Sequence, residues 1–281
     1  CDVQLYFFGK QLHEPDFLMG FGLDYEGVYR NVPYVYVPTK KEVEHMDCMI
    51  KDDRAYFKHH EVPTSVTKIP QVHILNHPLL QHKISIIRKT DTPTNQFRDL
   101  VTEIAMLEGY EVFKNLNVEY REIETPIEKT LQPFVNGSNI CFVPILRAGL
   151  GMVEGFTSLI PNSHVGHIGL YRDEVTHEPH EYYCKLPSGL EDLDCYIIDP
   201  MLATGGSAIY AVKMLRSHGA KRITMICIIA VPEGVKAFAD ACPDVELYVG
   251  SLDRYLNEHA YICPGLGDAG DRIFGTEQPK K

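Results

Sequence analysis

A short loop between two apolar stretches carries the residues best suited to chemistry. It begins at Asp199, ends at Ser207 and reads Asp-Pro-Met-Leu-Ala-Thr-Gly-Gly-Ser. Residues 193–198 before it are mostly apolar, β-branched or aromatic, which predicts a buried strand. Residues 207–218 after it place apolar side chains at helical spacing and stop at Gly219, which predicts a helix. We therefore expect the loop at the carboxyl end of a strand, where open α/β sheets bind their ligands.

The second half of this loop is suited to an anion. Residues 204–207 bring small side chains, two hydroxyls and free backbone N–H groups to a helix N-terminus, so phosphate is the expected ligand. Asp199, at the strand tip, is suited to accept hydrogen bonds from sugar hydroxyls. The alternative is an ordinary glycine-rich turn without a ligand. A Walker A loop does not fit, because no lysine follows the glycines.

Two arginines follow other predicted strands. The apolar run at 139–146 ends at Arg147, and small residues at 148–151 let a ligand approach the backbone there. The run at 164–171 ends at Arg172. The planar, permanently charged guanidinium suits bidentate contact with phosphate, so both side chains are predicted to hold one polyphosphate. The alternative for Arg147 is an ion pair with a neighbouring carboxylate.

A glycine-rich loop is predicted at residues 257–276, near the C-terminal end of the sequence. Its main chain is expected to face a neighbour, and free C=O and N–H groups can recognise a small planar base such as uracil. Tyr261 is expected beside the ring. The alternative is a capping loop that binds nothing.

The remaining patterns predict the scaffold. Strands and helices alternate, which implies a mostly parallel sheet with helices on both faces and right-handed crossovers. A polar stretch at 175–187 with two prolines predicts a mobile hairpin or lid. The other predicted elements are a helix at 94–109, strands at 120–129, 222–230 and 245–249, and a helix at 233–242.

Composition excludes several classes. With 281 residues, 44% of them hydrophobic and 23% charged, the chain is typical of a globular protein. The net charge of −11 argues against a nucleic-acid partner, which needs a basic surface. Eight scattered cysteines without paired spacing indicate reduced thiols in a cytoplasmic protein rather than a disulfide frame. No apolar run is long enough to cross a membrane.

Four motifs together closely resemble uracil phosphoribosyltransferases, over about residues 72–276. They lie at 144–152 (Pro-Ile-Leu-Arg-Ala-Gly-Leu-Gly-Met), 171–172, 199–207 and 264–276. The resemblance implies a type I phosphoribosyltransferase fold, with a C-terminal hood loop and a β-arm or lid. It implies transfer of the phosphoribosyl group of 5-phosphoribosyl 1-pyrophosphate to uracil, giving UMP. Pro200 replaces the second acidic residue of most type I loops, as is usual in the uracil branch.

The resemblance also implies roles for individual residues. Arg147, Arg172, Asp199 and Asp268 would be catalytic. Uracil would be bound by Tyr261, Ile262, Gly267, Asp268 and Ala269. Phosphoribosyl pyrophosphate would be bound by Arg147, Arg172, Asp199, Pro200, Met201, Leu202, Ala203, Thr204, Gly205, Gly206, Ser207 and Asp268. Mg²⁺ would arrive on the pyrophosphate, near Asp268, without a protein site of its own. A homodimer or homotetramer and a GTP effector are further implications.

The first 45 residues resemble the C-terminal tail of a hypoxanthine-guanine phosphoribosyltransferase, through Phe17, Leu18, Asp24 and Arg30. The predicted organisation is this tail at 1–45, a linker at 46–71 and the uracil domain at 72–281. Two alternatives stay open. One is a piece of a purine/pyrimidine fusion whose purine body precedes Cys1, and the other is a non-catalytic regulator that senses nucleotides on the same fold.

Overall fold

A computed structural model describes residues 66–172 and 179–276, without the side chains of Arg172 and Pro179. The described residues belong to one structural unit, Val62–Lys281. The purine-type tail predicted at 1–45, most of the predicted linker and the start of the predicted lid lie outside them. The boundaries proposed for those segments stay predictions.

Strands and helices alternate along the described chain. The helices are α1 Pro78–Arg88, α2 Thr94–Val112, α3 Leu150–Leu159, α4 Gly206–Ser217, α5 Pro232–Ala241 and α6 Ala269–Phe274. The strands are β1 Val72–Ile74, β2 Val118–Glu124, β3 Lys129–Val135, β4 Ile140–Leu146, β5 His164–Val165, β6 His167–Arg172, β7 Pro179–Lys185, β8 Asp194–Ile198, β9 Met201–Leu202, β10 Arg222–Ala230, β11 Glu246–Leu252, β12 Tyr255–Leu256 and β13 Ile262–Cys263.

The main sheet has the strand order β1-β11-β10-β8-β4-β6-β7, with β5 beside β4 and β9 beside β10. Its pairs are parallel, except that β6 and β7 run antiparallel. The predicted mostly parallel sheet is therefore confirmed. The strands β4, β8, β10 and β11 all end at one edge, so the loops that follow them meet there.

Helices cover both faces of this sheet, and its central strands β4, β8 and β10 are accordingly apolar along most of their length. On one face α4 and α5 pack through residues such as Leu215 and Phe238, both fully buried. On the other face α1, α2, α3 and α6 pack through residues such as Ile104 and Phe156. The run 225–230 in β10 is fully buried between the two layers.

The structure differs from the prediction of one strand at 120–129. β2 and β3 instead form an antiparallel hairpin that is separate from the main sheet and mostly exposed. The turn forms because the Thr125 hydroxyl accepts hydrogen bonds from the N–H groups of Ile127 and Glu128, at 3.2 and 3.0 Å. The mixed polarity of this segment reflects an exposed arm.

A carboxyl group is buried in the core without a partner. Glu108 of α2 is fully buried, and neither of its carboxyl oxygens has a hydrogen-bond partner. A Cβ placed on Gly250 of β11 would lie 2.5 Å from Oε1, so the carboxyl group presses on the sheet backbone. Burial raises the pKa of Glu108 from its ordinary value of 4.5 to about 8, because the charged form loses its hydration.

This burial predicts a falling stability with rising pH. Between about pH 4.5 and pH 8 the unfolded chain releases the Glu108 proton while the folded chain keeps it, so the free energy of unfolding decreases as pH rises. Glu108→Gln should flatten this dependence and stabilise the protein above neutral pH by on the order of a few kcal/mol. Urea unfolding at pH 5, 6.5 and 8 measures it.

Glu103→Gln is the matched control. Glu103 lies on the same helix, but its side chain is 48% exposed and pairs with Lys83. The pH dependence of this variant should follow that of the unmodified chain. An unchanged pH dependence in Glu108→Gln would contradict the prediction.

Candidate active site

The loop after β8 lies at the carboxyl edge of the sheet. The backbone N–H of Asp199 donates to the carbonyl oxygen of Ile226 in β10 at 3.2 Å. The helix α5 packs against this loop so closely that a Cβ on Gly234 would lie 2.1 Å from the carbonyl oxygen of Ala203. Only glycine fits there, and its absence of a side chain lets the helix support the loop directly.

The loop ends in a left-handed turn that starts α4. Gly205 caps the helix with a φ of 83°, a conformation that favours glycine. The first N–H groups of α4 have no acceptor within the helix. A Cβ on Gly206 would meet only the Thr204 hydroxyl, at 3.7 Å, so the space before these groups is open. This geometry fits the anion site that the sequence predicts.

Arg147 projects from the turn after β4. A Cβ on Gly149 would lie 2.4 Å from the carbonyl oxygen of Ile198, the last residue of β8, so this turn touches the strand that leads to Asp199. The peptide bond between Leu146 and Arg147 is cis.

The guanidinium of Arg147 already faces a carboxylate. Its Nη2 lies 3.3 Å from Oδ1 of Asp271, and its Cζ lies 5.9 Å from the ring centre of Phe274. The ion pair considered as an alternative is therefore present. The Arg147 side chain is nevertheless 56% exposed, and a guanidinium has five N–H donors, so it can also bind a second anion.

Asp268 lies beside this arginine. It is the N-cap of α6, and its Oδ1 accepts a hydrogen bond from the N–H of Asp271 at 2.9 Å. The position that a Cβ on Gly270 would take is 3.3 Å from Asp268 Oδ1 and 3.9 Å from Arg147 Nη2. The turn after β4 and the C-terminal segment thus bring these two charges together.

One cleft joins the phosphate loop to the C-terminal segment. Its volume is about 790 Å³, within the usual range for small-molecule sites. Residues from both segments line it: Asp199, Met201, Ala203, Thr204, Glu258, His259, Ala260, Tyr261, Ile262, Gly267 and Asp268. The two parts of the sequence that predicted phosphate and base recognition therefore face the same space.

Arg172 is the last residue of β6. This strand runs parallel to β4, with Leu146 paired to Gly169, so the backbone of Arg172 lies toward the same edge of the sheet. Its side chain is outside the described parts of the structure, and its predicted contact with pyrophosphate stays a prediction.

A second cavity, of about 650 Å³, lies at the other end of the helices. Its walls include the ends of α2, β3 and α3 and carry mostly apolar side chains such as Phe113, Leu159 and Ile160. The predicted residues that line the first cavity are Asp199, Met201, Ala203, Thr204, Tyr261, Ile262, Gly267 and Asp268. Its lining does not include Arg147, Pro200, Leu202, Gly205, Gly206, Ser207 or Ala269. Because no predicted residue lines the second cavity, the chemistry is assigned to the first.

Sequence reasoning missed charged residues in and near the site, among them Glu258, which lines the cleft. Asp271 pairs with Arg147, and Arg88 pairs with Asp253 beneath the C-terminal segment. These contacts join residues more than 120 positions apart, so no local pattern indicates them. The helix α6 was missed as well, although the N-cap Asp268 and the left-handed Gly275 after it are signals of a short helix.

The geometry agrees with comparisons to known proteins. A family model described as uracil phosphoribosyltransferase matches residues 74–276. Uracil phosphoribosyltransferases of Streptococcus pneumoniae and Agathobacter rectalis are 57% and 58% identical over 207 residues, covering 74% of this chain and 99% of each relative. The solved structure of the AQ2163 protein from Aquifex aeolicus is 39% identical, with a TM-score of 0.70 over 73% of this chain and 98% of that chain.

The parallel sheet, with its glycine-rich strand–loop–helix unit at the carboxyl edge, defines a phosphoribosyltransferase fold. Within that class the match is specific, because it extends over most of the chain and nearly all of each relative. The chain belongs to the uracil phosphoribosyltransferase family.

The contact at Gly149 makes a direct prediction. Gly149→Ala should destabilise the fold by about 2 kcal/mol, because the new methyl group would overlap the Ile198 carbonyl and the backbone of Ile145. Gly206→Ala is the control, since its methyl group would enter open space, and its stability should lie within about 0.5 kcal/mol of the unmodified chain. Thermal unfolding of both variants checks this. Equal midpoints would show that the turn after β4 can move away from β8.

Proposed function

We propose that this protein acts in pyrimidine salvage, as a pentosyl transferase that moves the phosphoribosyl group of 5-phosphoribosyl 1-pyrophosphate to uracil. The products are UMP and pyrophosphate. The observation that carries the proposal is the shared cleft: Asp199 and Thr204 line one side, and Ile262, Gly267 and Asp268 line the other. Membership of the uracil phosphoribosyltransferase family supports it.

The geometry supports a division of labour between the loops. The N-terminus of α4 suits the 5′-phosphate. The residues before it are assigned to the ribose: Asp199, Pro200, Met201, Leu202 and Ala203. Arg147 suits the pyrophosphate, as does Arg172 at the end of β6. On the opposite wall Tyr261, Ile262, Gly267, Asp268 and Ala269 are assigned to uracil. Asp268 is also assigned to the sugar substrate, since it lies near Arg147.

The proposed reaction is a displacement at the anomeric carbon. A ring nitrogen of uracil forms the new C–N bond and loses its proton, while the C–O bond to pyrophosphate breaks. Positive charge develops on the ribose and negative charge on the leaving group, so no covalent protein intermediate is needed. The protein contributes by aligning the two substrates and by placing guanidinium and N–H groups beside the departing pyrophosphate.

Mg²⁺ is proposed as the cofactor. This ion is usually held by one or two carboxylates together with substrate phosphates. In this protein the ion would arrive on the pyrophosphate and lie near Asp268, whose carboxylate lines the cleft. When bound there, the ion would neutralise charge on the leaving group.

A homodimer or homotetramer is proposed on the basis of the β2–β3 hairpin. Its apolar side chains are exposed away from the main sheet, with Ile127 at 91% and Leu131 at 62%. Exposed apolar surface of this kind often marks a protein contact. GTP as an effector rests on the family resemblance.

A cytoplasmic location is proposed from the thiols. The six cysteines in the described ranges, 66–172 and 179–276, are free, as expected in a reducing compartment. Within the same ranges, no helix is both long and apolar enough to cross a membrane.

The alternatives predict different products. Recombinant protein should form UMP from uracil, phosphoribosyl pyrophosphate and Mg²⁺, and hypoxanthine should give no nucleotide. Nucleotide formation from hypoxanthine would contradict the proposed specificity for uracil. The fusion alternative places its purine body before Cys1, so a second phosphate loop in the reading frame upstream of Cys1 would favour it. Binding of nucleotides without any UMP formation would favour the regulatory alternative and contradict the proposal.

Arg147→Ala should lower kcat/KM for UMP formation about 100-fold while the protein stays folded, because one charged contact to the leaving group is lost. The control is Arg216→Ala. Arg216 lies on α4 and forms an exposed ion pair with Asp244, so this variant should retain full activity. Initial rates and circular dichroism measure the two effects. Rates near those of the unmodified enzyme in Arg147→Ala would remove this residue from the catalytic set.

A further inference from the structure

An ion pair lies beneath the C-terminal loop. Arg88 is the last residue of α1, and Asp253 follows β11 directly. The two side chains meet in a forked geometry: Nη1 lies 2.7 Å from Oδ2, and Nη2 contacts Oδ1. Nη2 also donates to the Ser251 hydroxyl at 3.2 Å. The Asp253 side chain is only 2% exposed and that of Arg88 20%.

Both members of this pair hold the backbone of Gly265. The N–H of Gly265 donates to Asp253 Oδ2 at 2.8 Å, and its carbonyl oxygen accepts from Arg88 Nη1 at 2.8 Å. Gly265 has a φ of 66°, and a Cβ there would lie 2.2 Å from the Ile262 carbonyl oxygen. The turn between Ile262 and Gly267 is thus fixed at both polar atoms of one residue that can only be glycine.

The backbone of Asp253 ties the pair to the sheet. Its N–H donates to the carbonyl oxygen of Ala230, the last residue of β10, at 2.7 Å. A charge-assisted, forked contact of low exposure loses little to solvent or salt. The pair therefore connects the end of α1, two central strands and the base loop through short contacts.

We propose that Arg88 and Asp253 are positioning residues for uracil. They do not touch the base. They fix Gly265, and this positions the polar backbone groups of Gly267, Asp268 and Ala269 to form hydrogen bonds with a pyrimidine. The inference rests on the proposed function, and it extends that function to two residues outside the cleft lining.

The expected kinetic effect is selective. The side-chain partners of Arg88 and Asp253 belong to β11 and to the turn that holds Gly265, whereas the phosphate loop rests on β10 and α5. Loss of the pair should therefore raise KM for uracil strongly and KM for phosphoribosyl pyrophosphate only slightly, because Asp268 alone, of the three residues that the pair positions, is assigned to both substrates. A general loss of stability would instead affect both substrates.

The test compares Asp253→Asn, Arg88→Gln, Arg88→Lys and the double variant Asp253→Asn/Arg88→Gln. Each of the first two should raise KM for uracil at least about tenfold, the loss expected for a hydrogen bond to a charged group. KM for phosphoribosyl pyrophosphate should change less than about threefold. The double variant should be no worse than either single variant, because the two residues act as a unit. Arg88→Lys should recover part of the uracil affinity, since it keeps the charge but not the fork.

Arg222→Gln is the matched control. Arg222 is the first residue of β10, at the opposite end of the strand from the site, and it forms an exposed ion pair with Asp194 of β8. Its KM values should be unchanged. Equal increases in both KM values, or an unchanged KM for uracil in folded Arg88→Gln and Arg88→Lys, would overturn the inference. Absence of UMP formation by the unmodified protein would overturn the proposed function, and the inference with it. UMP formation by the unmodified protein, together with variants whose KM for uracil is unchanged, would overturn the inference alone.

Discussion

The site depends on how closely segments of main chain approach one another at the carboxyl edge of the sheet. Gly149 lies against the end of β8, Gly234 lies against Ala203, and Gly265 lies against Ile262. At each point a single Cβ would overlap a carbonyl oxygen. The loops that carry Arg147, Asp199 and Asp268 are therefore placed by backbone contact. Such contacts leave little freedom to drift, and catalysis by alignment requires positions held to a fraction of an ångström.

Electrostatics at this edge are local rather than global. The chain carries a net charge of −11, yet its proposed substrate is a polyphosphate. The N-terminus of α4 contributes N–H groups and a partial positive charge that do not depend on side-chain ionisation. Arg147 contributes a full charge that is partly balanced by Asp271 in the structure described above. An incoming pyrophosphate would share or replace that partner, and the arginine is kept in place until it does.

The sequence predicted the scaffold because its pattern is local. Buried strands such as 225–230 have continuous apolar runs, and each predicted helix has an apolar face. The single strand expected at 120–129 was wrong, since an exposed arm has no buried side to impose alternation. The short α6 has too few residues for a period to show. The pair of Arg88 and Asp253 could not be predicted, because the two residues are 165 positions apart and only the folded sheet brings them together.

The contacts of Arg272 in α6 affect the order in which the domain can fold. Its guanidinium donates to the carbonyl oxygens of Ile87 and Lys89 at the end of α1, each at 2.5 Å, and to that of Leu266 at 2.8 Å. One of the first helices of the domain is thus completed by one of its last residues, about 185 positions later. Local contacts from Lys89 and Thr92 already satisfy the carbonyl oxygen of Ile86. During synthesis from the N-terminus, the carbonyl groups of Ile87 and Lys89 lack their Arg272 partner until almost the whole domain has left the ribosome. A nascent chain can build much of its sheet earlier, but the wall of the cleft that faces the base forms only when translation is nearly finished.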